Sequence, residues 1–266
     1  MNDTDAENVP RFWQSSGLSR LPWLTHGVTE RGGGTSAAPF ASLNLGLHVG
    51  DAAERVRENR GRVATAAGLT LSRMVCGEQV HGSEAAVVTA GDAGRGAAVF
   101  SEAIPGVDAL VTDAPDLLLT LFFADCLPIL LADTEHRVVA VAHAGWRGMV
   151  GGVIENTLTT MQRQFGTRAE AIVAAVGPGI RSCCFEVGPE VAEQFPLSMV
   201  HQSPGGKPHV DLHGAARLRL LDRGIHSYQI ESAELCTACH TERFFSHRRE
   251  NGRTGRMGAF IALRSA

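Results

Sequence analysis

Lysine is almost absent from this chain of 266 residues, because Lys207 is the single one present. Arginine therefore carries nearly all the positive charge, and the formal net charge of -4 leaves no basic excess. A nucleic-acid-binding face needs clustered positive charge. The composition thus argues against nucleic acid as a partner.

Long apolar runs and a secretory leader are lacking as well. The longest apolar run, 117–124, is interrupted by Thr120 and followed by Asp125, whereas a membrane helix needs about 20 apolar residues. The first 11 residues are polar and acidic, unlike a signal peptide. We therefore expect a cytoplasmic protein with no membrane partner, and its six cysteines should be thiols, metal ligands or nucleophiles. Nothing in the sequence indicates the oligomeric state.

Hydrophobic residues make up 44% of the chain, enough for a sizeable core. Helices are predicted from Asp51 as N-cap to Ala67, over 148–165 and over 213–222. Short apolar runs rich in β-branched residues predict strands at 85–90, 108–112, 117–124, 129–132, 138–142, 171–176 and 257–263.

Strands that are apolar on both faces are typical of a sheet with helices on both sides. We therefore predict an α/β fold with a large mixed β-sheet covered by helices on both faces. The prediction is a single catalytic domain over 21–266, preceded by a flexible tail over 1–20.

Three side chains are candidates for a metal site. Cys126 and His143 each follow a predicted apolar strand, and the carboxyl ends of strands are where α/β proteins build their sites. Glycines closely follow both His81 and His143. Two imidazoles and one thiolate suit Zn²⁺ and leave a fourth position for water or substrate. A different chemistry fits equally well, with Cys126 as a nucleophile activated by His143, and spacing does not separate the two.

Seven short motifs help to decide between a metal site and a cysteine nucleophile. They include Ala-Asp-Cys at 124–126 and His-Ala-Gly-Trp-Arg-Gly at 143–148, and they closely resemble the YfiH family, also called the polyphenol oxidase laccase-domain family or the purine nucleoside phosphorylase family of that fold. The fold of that family resembles the cysteine-hydrolase-like α/β/α arrangement. The motifs occur, in order, at 42–46, 79–82, 124–129, 143–148, 177–180, 183–188 and 245–249.

The resemblance implies that His81, Cys126 and His143 hold zinc. It implies a zinc-dependent purine nucleoside phosphorylase that acts with phosphate on adenosine, inosine, guanosine and methylthioadenosine, and that also deaminates adenosine. It leaves two other activities open, a peptidoglycan-editing cysteine or metal hydrolase and a copper-dependent polyphenol oxidase. A binding module with structural zinc is a further alternative. Cu²⁺ can bind such a donor set more tightly than Zn²⁺, but the chain lacks the His-x-His pairs of multicopper oxidases.

Further candidates surround the trio, whose members we also expect to be catalytic. Arginine is well suited to bind phosphate, and Arg147 is the leading choice because it follows His143 by four residues. Asp125 is a candidate acid or base, although adjacent strand residues point to opposite faces, so that it could instead orient a loop. The other predicted substrate or phosphate contacts are Arg60, Arg248, Arg249, Asn44 and Gln79.

A second group of cysteines has metal-like spacing. Cys236 and Cys239 form a C-x-x-C element. They could complete a tetrahedral set only if Cys183 and Cys184 came near. We expect Cys183 and Cys184 instead to pack beneath the Gly-Pro-Gly turn at 177–179.

Overall fold

A computed structural model describes residues 9–202 and 206–265. The strands are β1 (Phe12–Trp13), β2 (Leu24–Thr29), β3 (Met74–Cys76), β4 (Ala85–Val87), β5 (Ala109–Thr112), β6 (Leu118–Phe123), β7 (Leu127–Asp133), β8 (Val138–Ala144), β9 (Ile172–Val176), β10 (Val200–His201), β11 (His209–Val210), β12 (Ile230–Ser232) and β13 (Met257–Leu263). The helices are α1 (Ala53–Ala66), α2 (Trp146–Gly151), α3 (Val153–Phe165), α4 (Pro189–Ala192) and α5 (Leu212–Asp222).

The longer strands divide into two mixed sheets. One has five strands in the order β1-β2-β13-β6-β3, and the other has six in the order β12-β9-β7-β8-β5-β4. In the six-stranded sheet β7 pairs antiparallel with β8 and with β9, whereas β12 runs parallel to β9. Strands β10 and β11 form a separate small ribbon.

Alternating side chains explain how the sheets stack. In the six-stranded sheet, Leu110 and Leu130 enter a core shared with β6 and β13 of the other sheet. Their neighbours Val111 and Leu131 enter a second core with α3 and α5. A third core lies between the five-stranded sheet and α1. The result is four layers, with the two sheets face to face and helices on both outer sides.

The α/β class and the helix cover on both outer faces are confirmed. The predicted large mixed sheet is made of two sheets, each covered by helices on one face and by the other sheet on the second. An apolar strand sequence indicates only that both faces of the strand are buried. A neighbouring sheet can bury a face as well as helices can, so the pattern does not distinguish the two.

Two predicted helices differ in detail from the structure. Asp51 is not the N-cap of α1, because Ala52 holds that position while the Asp51 carboxylate accepts from Ser36 and Asn44. The helix predicted over 148–165 is two helices, because Gly152 between them has a φ of +87°. Only glycine adopts this conformation without strain.

The N-terminal segment within the described residues is folded, which corrects the prediction of a flexible tail for 9–20. Phe12 and Trp13 pair with β2, and Ser15 and Leu18 are fully buried. The remainder of the predicted tail, 1–8, lies outside the described residues. Across the described parts of the chain, no helix combines the length and apolarity that crossing a membrane requires.

Candidate active site

The side chains of His81, Cys126 and His143 meet, and their ligand atoms all lie within 4.8 Å of one another. His81 is exposed, Cys126 half-buried and His143 buried. Cys126 occupies the turn between β6 and β7. His143 lies near the end of β8, where it pairs with Pro128 of β7. His81 follows β3 in a loop and has a φ of +59°. The structure thus brings the three predicted ligands together.

A buried carboxylate that sequence reasoning missed organises the two histidines. Asp108 Oδ1 lies 2.7 Å from His143 Nδ1. The same carboxylate accepts from the amides of Val80, His81 and Gly82. It thereby fixes the His81 loop and turns the other imidazole nitrogen of His143 towards the cluster. The sequence feature that could have pointed to Asp108 is a charged residue at the start of an apolar strand.

Glycines keep the space around the cluster open. A Cβ at Gly145 would lie 2.8 Å from Cys126 Sγ, and one at Gly148 would lie 2.8 Å from the Gly82 carbonyl oxygen. Real Cβ atoms essentially never approach so closely. The glycines of the 143–148 motif are therefore required by close packing at the cluster.

The ionisation of the cluster is coupled. Burial opposes the thiolate of Cys126, but the adjacent imidazoles of His143 and His81 outweigh it and lower the pKa of the thiol to about 6. Burial likewise opposes protonation of His143, but Cys126 and Asp108 raise its pKa to about 9. For Asp108, the hydrogen bond and charge of His143 overcome burial and hold the carboxyl pKa below its ordinary value. The Cys126 sulfur is therefore largely anionic near neutral pH.

A cavity of about 500 Å³ opens over the cluster. Its wall combines the trio with aromatic rings, two arginines and further imidazoles, a mixture typical of small-molecule sites. The lining residues outside the trio are His48, Gly77, Gln79, Phe100, Phe122, Ala124, Asp125, Ile180, Phe185, His247, Arg248 and Arg256.

Of the predicted arginines, only Arg248 lines this cavity. Its Nη1 donates to the carbonyl oxygens of Cys184 and Glu186, at 3.2 and 2.8 Å, which fixes the guanidinium at the wall. Arg256 also lines the cavity, and sequence reasoning did not find it. Its Nη1 donates to the carbonyl oxygens of Thr254 and Gly255.

The other predicted arginines lie elsewhere. Arg147 is exposed on α2, where its guanidinium stacks over Trp146 at 4.4 Å from the ring centroid. Arg249 donates to the carbonyl oxygen of Ala238, away from the cavity lining.

Arg60 is 1% exposed and belongs to the core. Its donors are used by the carbonyl oxygens of Leu45, Gly96 and Ala97, and its guanidinium lies 4.2 Å from the Phe122 ring centroid. The predicted phosphate contact at Arg60 is therefore corrected to a structural one, since this guanidinium is buried in the core, donates to three backbone carbonyl groups and does not line the cavity.

The two predicted amide contacts are also structural. Asn44 is fully buried; its side chain donates to Asp51 and accepts from the amides of Gly46 and Arg256. Gln79 lies in the cavity wall, but its amide exchanges two hydrogen bonds with the backbone of Phe122. Both side chains therefore hold backbone segments of the site in place.

Asp125 supports the loop that carries Cys126. Its φ is +84°, and it is 8% exposed. One carboxylate oxygen accepts from Thr237 Oγ1 at 2.6 Å and the other from the Arg248 amide at 2.7 Å. Of the two roles expected for Asp125, this geometry supports loop orientation.

Comparison with known proteins identifies the family. A family model described as multi-copper polyphenol oxidoreductase laccase matches residues 25–264. The chain belongs to this family. A laccase-family relative, the purine nucleoside phosphorylase YlmD of Geobacillus stearothermophilus, is 42% identical over 96% of this chain and 95% of its own length. Adenosine deaminase RL5, from an unknown prokaryotic organism, is 36% identical over 86% of this chain and 89% of its own.

A solved structure extends the likeness to three dimensions. The crystal structure of the YfiH protein of Bacillus licheniformis has a TM-score of 0.88 and 38% identity, covering 91% of this chain and 93% of that one. The resemblance to the YfiH family predicted from the motifs is confirmed.

Proposed function

We propose that this chain is a zinc-dependent purine nucleoside phosphorylase that acts on adenosine, inosine, guanosine and methylthioadenosine, and that it also deaminates adenosine. The names of its relatives support the two activities. The observation that carries the proposal is the convergence of His81, Cys126 and His143 at the wall of a cavity that also holds Arg248 and Arg256.

The donor set fits zinc. Three protein ligands drawn from imidazole nitrogen and thiolate sulfur are typical of catalytic zinc sites, which keep one position open. The missing Cβ of Gly145 leaves room beside the Cys126 sulfur. When bound, such an ion supplies Lewis acidity at the cavity wall. Cu²⁺ would find the same donors and is the alternative metal.

The remaining residues of the cavity fit a nucleoside and phosphate. Arg248 and Arg256 offer guanidinium groups to an anion. Phe100, Phe122 and Phe185 offer apolar faces to a purine base. A volume of about 500 Å³ lies within the range of small-molecule sites.

One observation favours a second candidate, the cysteine hydrolase. A thiol whose pKa is lowered to about 6 beside His143 could act as a nucleophile. The exposed His81, however, has no assigned task in a two-residue nucleophile and base pair, whereas it would be the third ligand of a metal site. We therefore place the hydrolase second.

The test compares wild type with Cys126→Ala, and with Cys76→Ala as a matched control at a buried cysteine outside the trio. We expect zinc in the protein, phosphate-dependent release of hypoxanthine from inosine and ammonia release from adenosine. Cys126→Ala should lose both activities and the zinc held by the trio, whereas Cys76→Ala should keep them. Turnover that needs neither phosphate nor metal, and that still depends on Cys126, would support the hydrolase instead.

A further inference from the structure

Four cysteines outside the candidate active site converge on one point. The sulfur atoms of Cys183, Cys184, Cys236 and Cys239 all lie within 4.8 Å of one another. Cys239 Sγ is 3.7 Å from Cys183 Sγ and 3.4 Å from Cys184 Sγ. Two segments of the chain separated by about 50 residues thus contribute two sulfurs each.

The distances between these sulfur atoms fit a tetrahedrally coordinated metal ion. Zinc lies about 2.3 Å from each thiolate, so four sulfurs around one zinc are roughly 3.8 Å apart. The sulfur separations of 3.4 and 3.7 Å lie just below that value. A disulfide would join only two of the four sulfurs, at about 2.05 Å, and would leave the convergence of the other two without a cause.

The backbone around the cluster is arranged for thiolates. Residues 236–240 form a tight turn in which the amides of Cys239 and His240 donate to the Cys236 carbonyl oxygen. A second turn at Arg181 brings Cys183 and Cys184 to the same place, since the amides of Cys184 and Phe185 donate to the Arg181 carbonyl oxygen. The Arg181 amide points at Cys236 Sγ, 3.5 Å away.

The surrounding charge also suits an anionic cluster. Two arginines, Arg248 and Arg249, and one carboxylate, Glu186, border the surface pocket that contains Cys183 and Cys184. A zinc ion with four thiolates carries a net negative charge, which these guanidinium groups would offset. A bound metal would replace the thiol protons of the four cysteines.

We propose that Cys183, Cys184, Cys236 and Cys239 bind a second, structural zinc ion. Four protein ligands close the coordination sphere, which distinguishes a structural zinc from a catalytic one. This assignment is independent of the reaction at the first site.

The position of the second site gives it a role in supporting the cavity wall. Thr237, next to Cys236, donates to the Asp125 carboxylate, and Arg248 donates to the Cys184 carbonyl oxygen. Phe185, next to Cys184, lines the cavity itself. Zinc at the cysteine cluster would therefore fasten the loop after β9 to the segment before β13, behind the candidate active site.

Metal analysis of purified variants tests the proposal. Protein expressed with supplementary zinc and purified under reducing conditions should contain about two zinc ions per chain, falling to about one in Cys126→Ala, about one in Cys239→Ser and close to none in the double variant. Cys76→Ala should keep the wild-type content. A single zinc in wild type that disappears in Cys126→Ala would overturn the proposal.

A second measurement avoids any change at the cysteine cluster. In the Cys126→Ala chain reloaded with Co²⁺, the remaining ion should show the intense visible and near-ultraviolet absorption of a tetrahedral cobalt thiolate. After denaturation with chelator present, all six cysteines should react as free thiols. A loss of two thiols to a disulfide, iron in place of zinc, or no thiolate spectrum would each contradict the assignment.

Discussion

At the scale of single residues, the candidate site depends on the absence of a side chain at Gly145. A Cβ there would meet the Cys126 sulfur at 2.8 Å. We predict that Gly145→Ala weakens zinc binding at the first site by about 10-fold or more, the loss typical when the support of a metal ligand is disturbed. A competitive chelator titration measures this affinity.

Gly151→Ala is the matched control for that experiment. Gly151 ends the same short helix, but the nearest atom to a Cβ there is Ser83 Cβ at an ordinary 3.5 Å. We expect wild-type affinity for this variant. Equal zinc affinities for both variants would show that a side chain at position 145 does not disturb Cys126.

Arg248 is the predicted phosphate contact that lies in the cavity wall. Removing its guanidinium should cost a charge-assisted hydrogen bond, so we predict that Arg248→Ala raises the KM for phosphate by about 10- to 100-fold. Steady-state kinetics with varied phosphate at saturating inosine measures this. Arg147→Ala, which alters an exposed arginine outside the cavity lining, should change the KM less than twofold. The reverse order of effects would restore Arg147 as the phosphate contact.

Sequence patterns could identify the trio because residue type and motif order carry that information. They could not separate Arg248 from Arg60, since both are arginines near predicted elements. What separates them is burial, since Arg60 is 1% exposed and donates to three backbone carbonyl groups. Sequence patterns did not identify Asp108 because its role depends on hydrogen bonds to a loop 26 to 28 positions earlier in the chain.

At the scale of elements, the segment before β2 is held by β12. Glu231 Oε2 accepts hydrogen bonds from Ser15 Oγ, Ser16 Oγ and the Gly17 amide. Burial raises the pKa of this carboxyl, but the hydrogen bonds from Gly17 and Ser15 outweigh it, and the net pKa is lowered. A lowered folded pKa means that the stabilisation is present above the ordinary pKa and is lost as the pH falls.

We therefore predict that Glu231→Gln lowers the free energy of unfolding by about 1–2 kcal/mol at pH 7. The difference from wild type should shrink as the pH falls from about 4.5 through the lowered pKa of the folded state, because Glu231 then becomes neutral as well. Urea unfolding at several pH values measures this. Glu234→Gln, at a carboxylate that is 81% exposed, should cost less than about 0.5 kcal/mol. A pH-independent difference for Glu231→Gln would contradict the account.

Element boundaries were predictable where local chemistry decides them. The strand predicted at 257–263 matches β13, and Gly68, which comes directly after the first predicted helix, has the positive φ of a helix terminator. The break at Gly152 was not predictable from periodicity, because the apolar residues of α2 and α3 together are spaced as in one continuous helix. The pairing of strands into two sheets depends on contacts distant in sequence, which local patterns do not record.

At the scale of the whole molecule, the core between the two sheets should contribute much of the stability. Leu130 is fully buried there, between strands of both sheets. We predict that Leu130→Ala lowers the free energy of unfolding by about 2–5 kcal/mol, as expected for a large-to-small change in a packed core. Equilibrium urea denaturation measures it.

The comparison for that prediction is Leu197→Ala, at a leucine that is 91% exposed. It should change the free energy of unfolding by less than about 0.5 kcal/mol. A loss below 1 kcal/mol at Leu130 would mean that the sheets are less closely packed than the four-layer arrangement requires.

The central claim is that the trio and the arginine-bearing cavity together perform zinc-dependent phosphorolysis. Its most direct test is the identity of the sugar product formed from inosine by the zinc-loaded protein. The account predicts ribose 1-phosphate and hypoxanthine in equal amounts, formed only with inorganic phosphate and lost in Cys126→Ala. Free ribose formed at the same rate without phosphate, or undiminished turnover in Cys126→Ala, would contradict it.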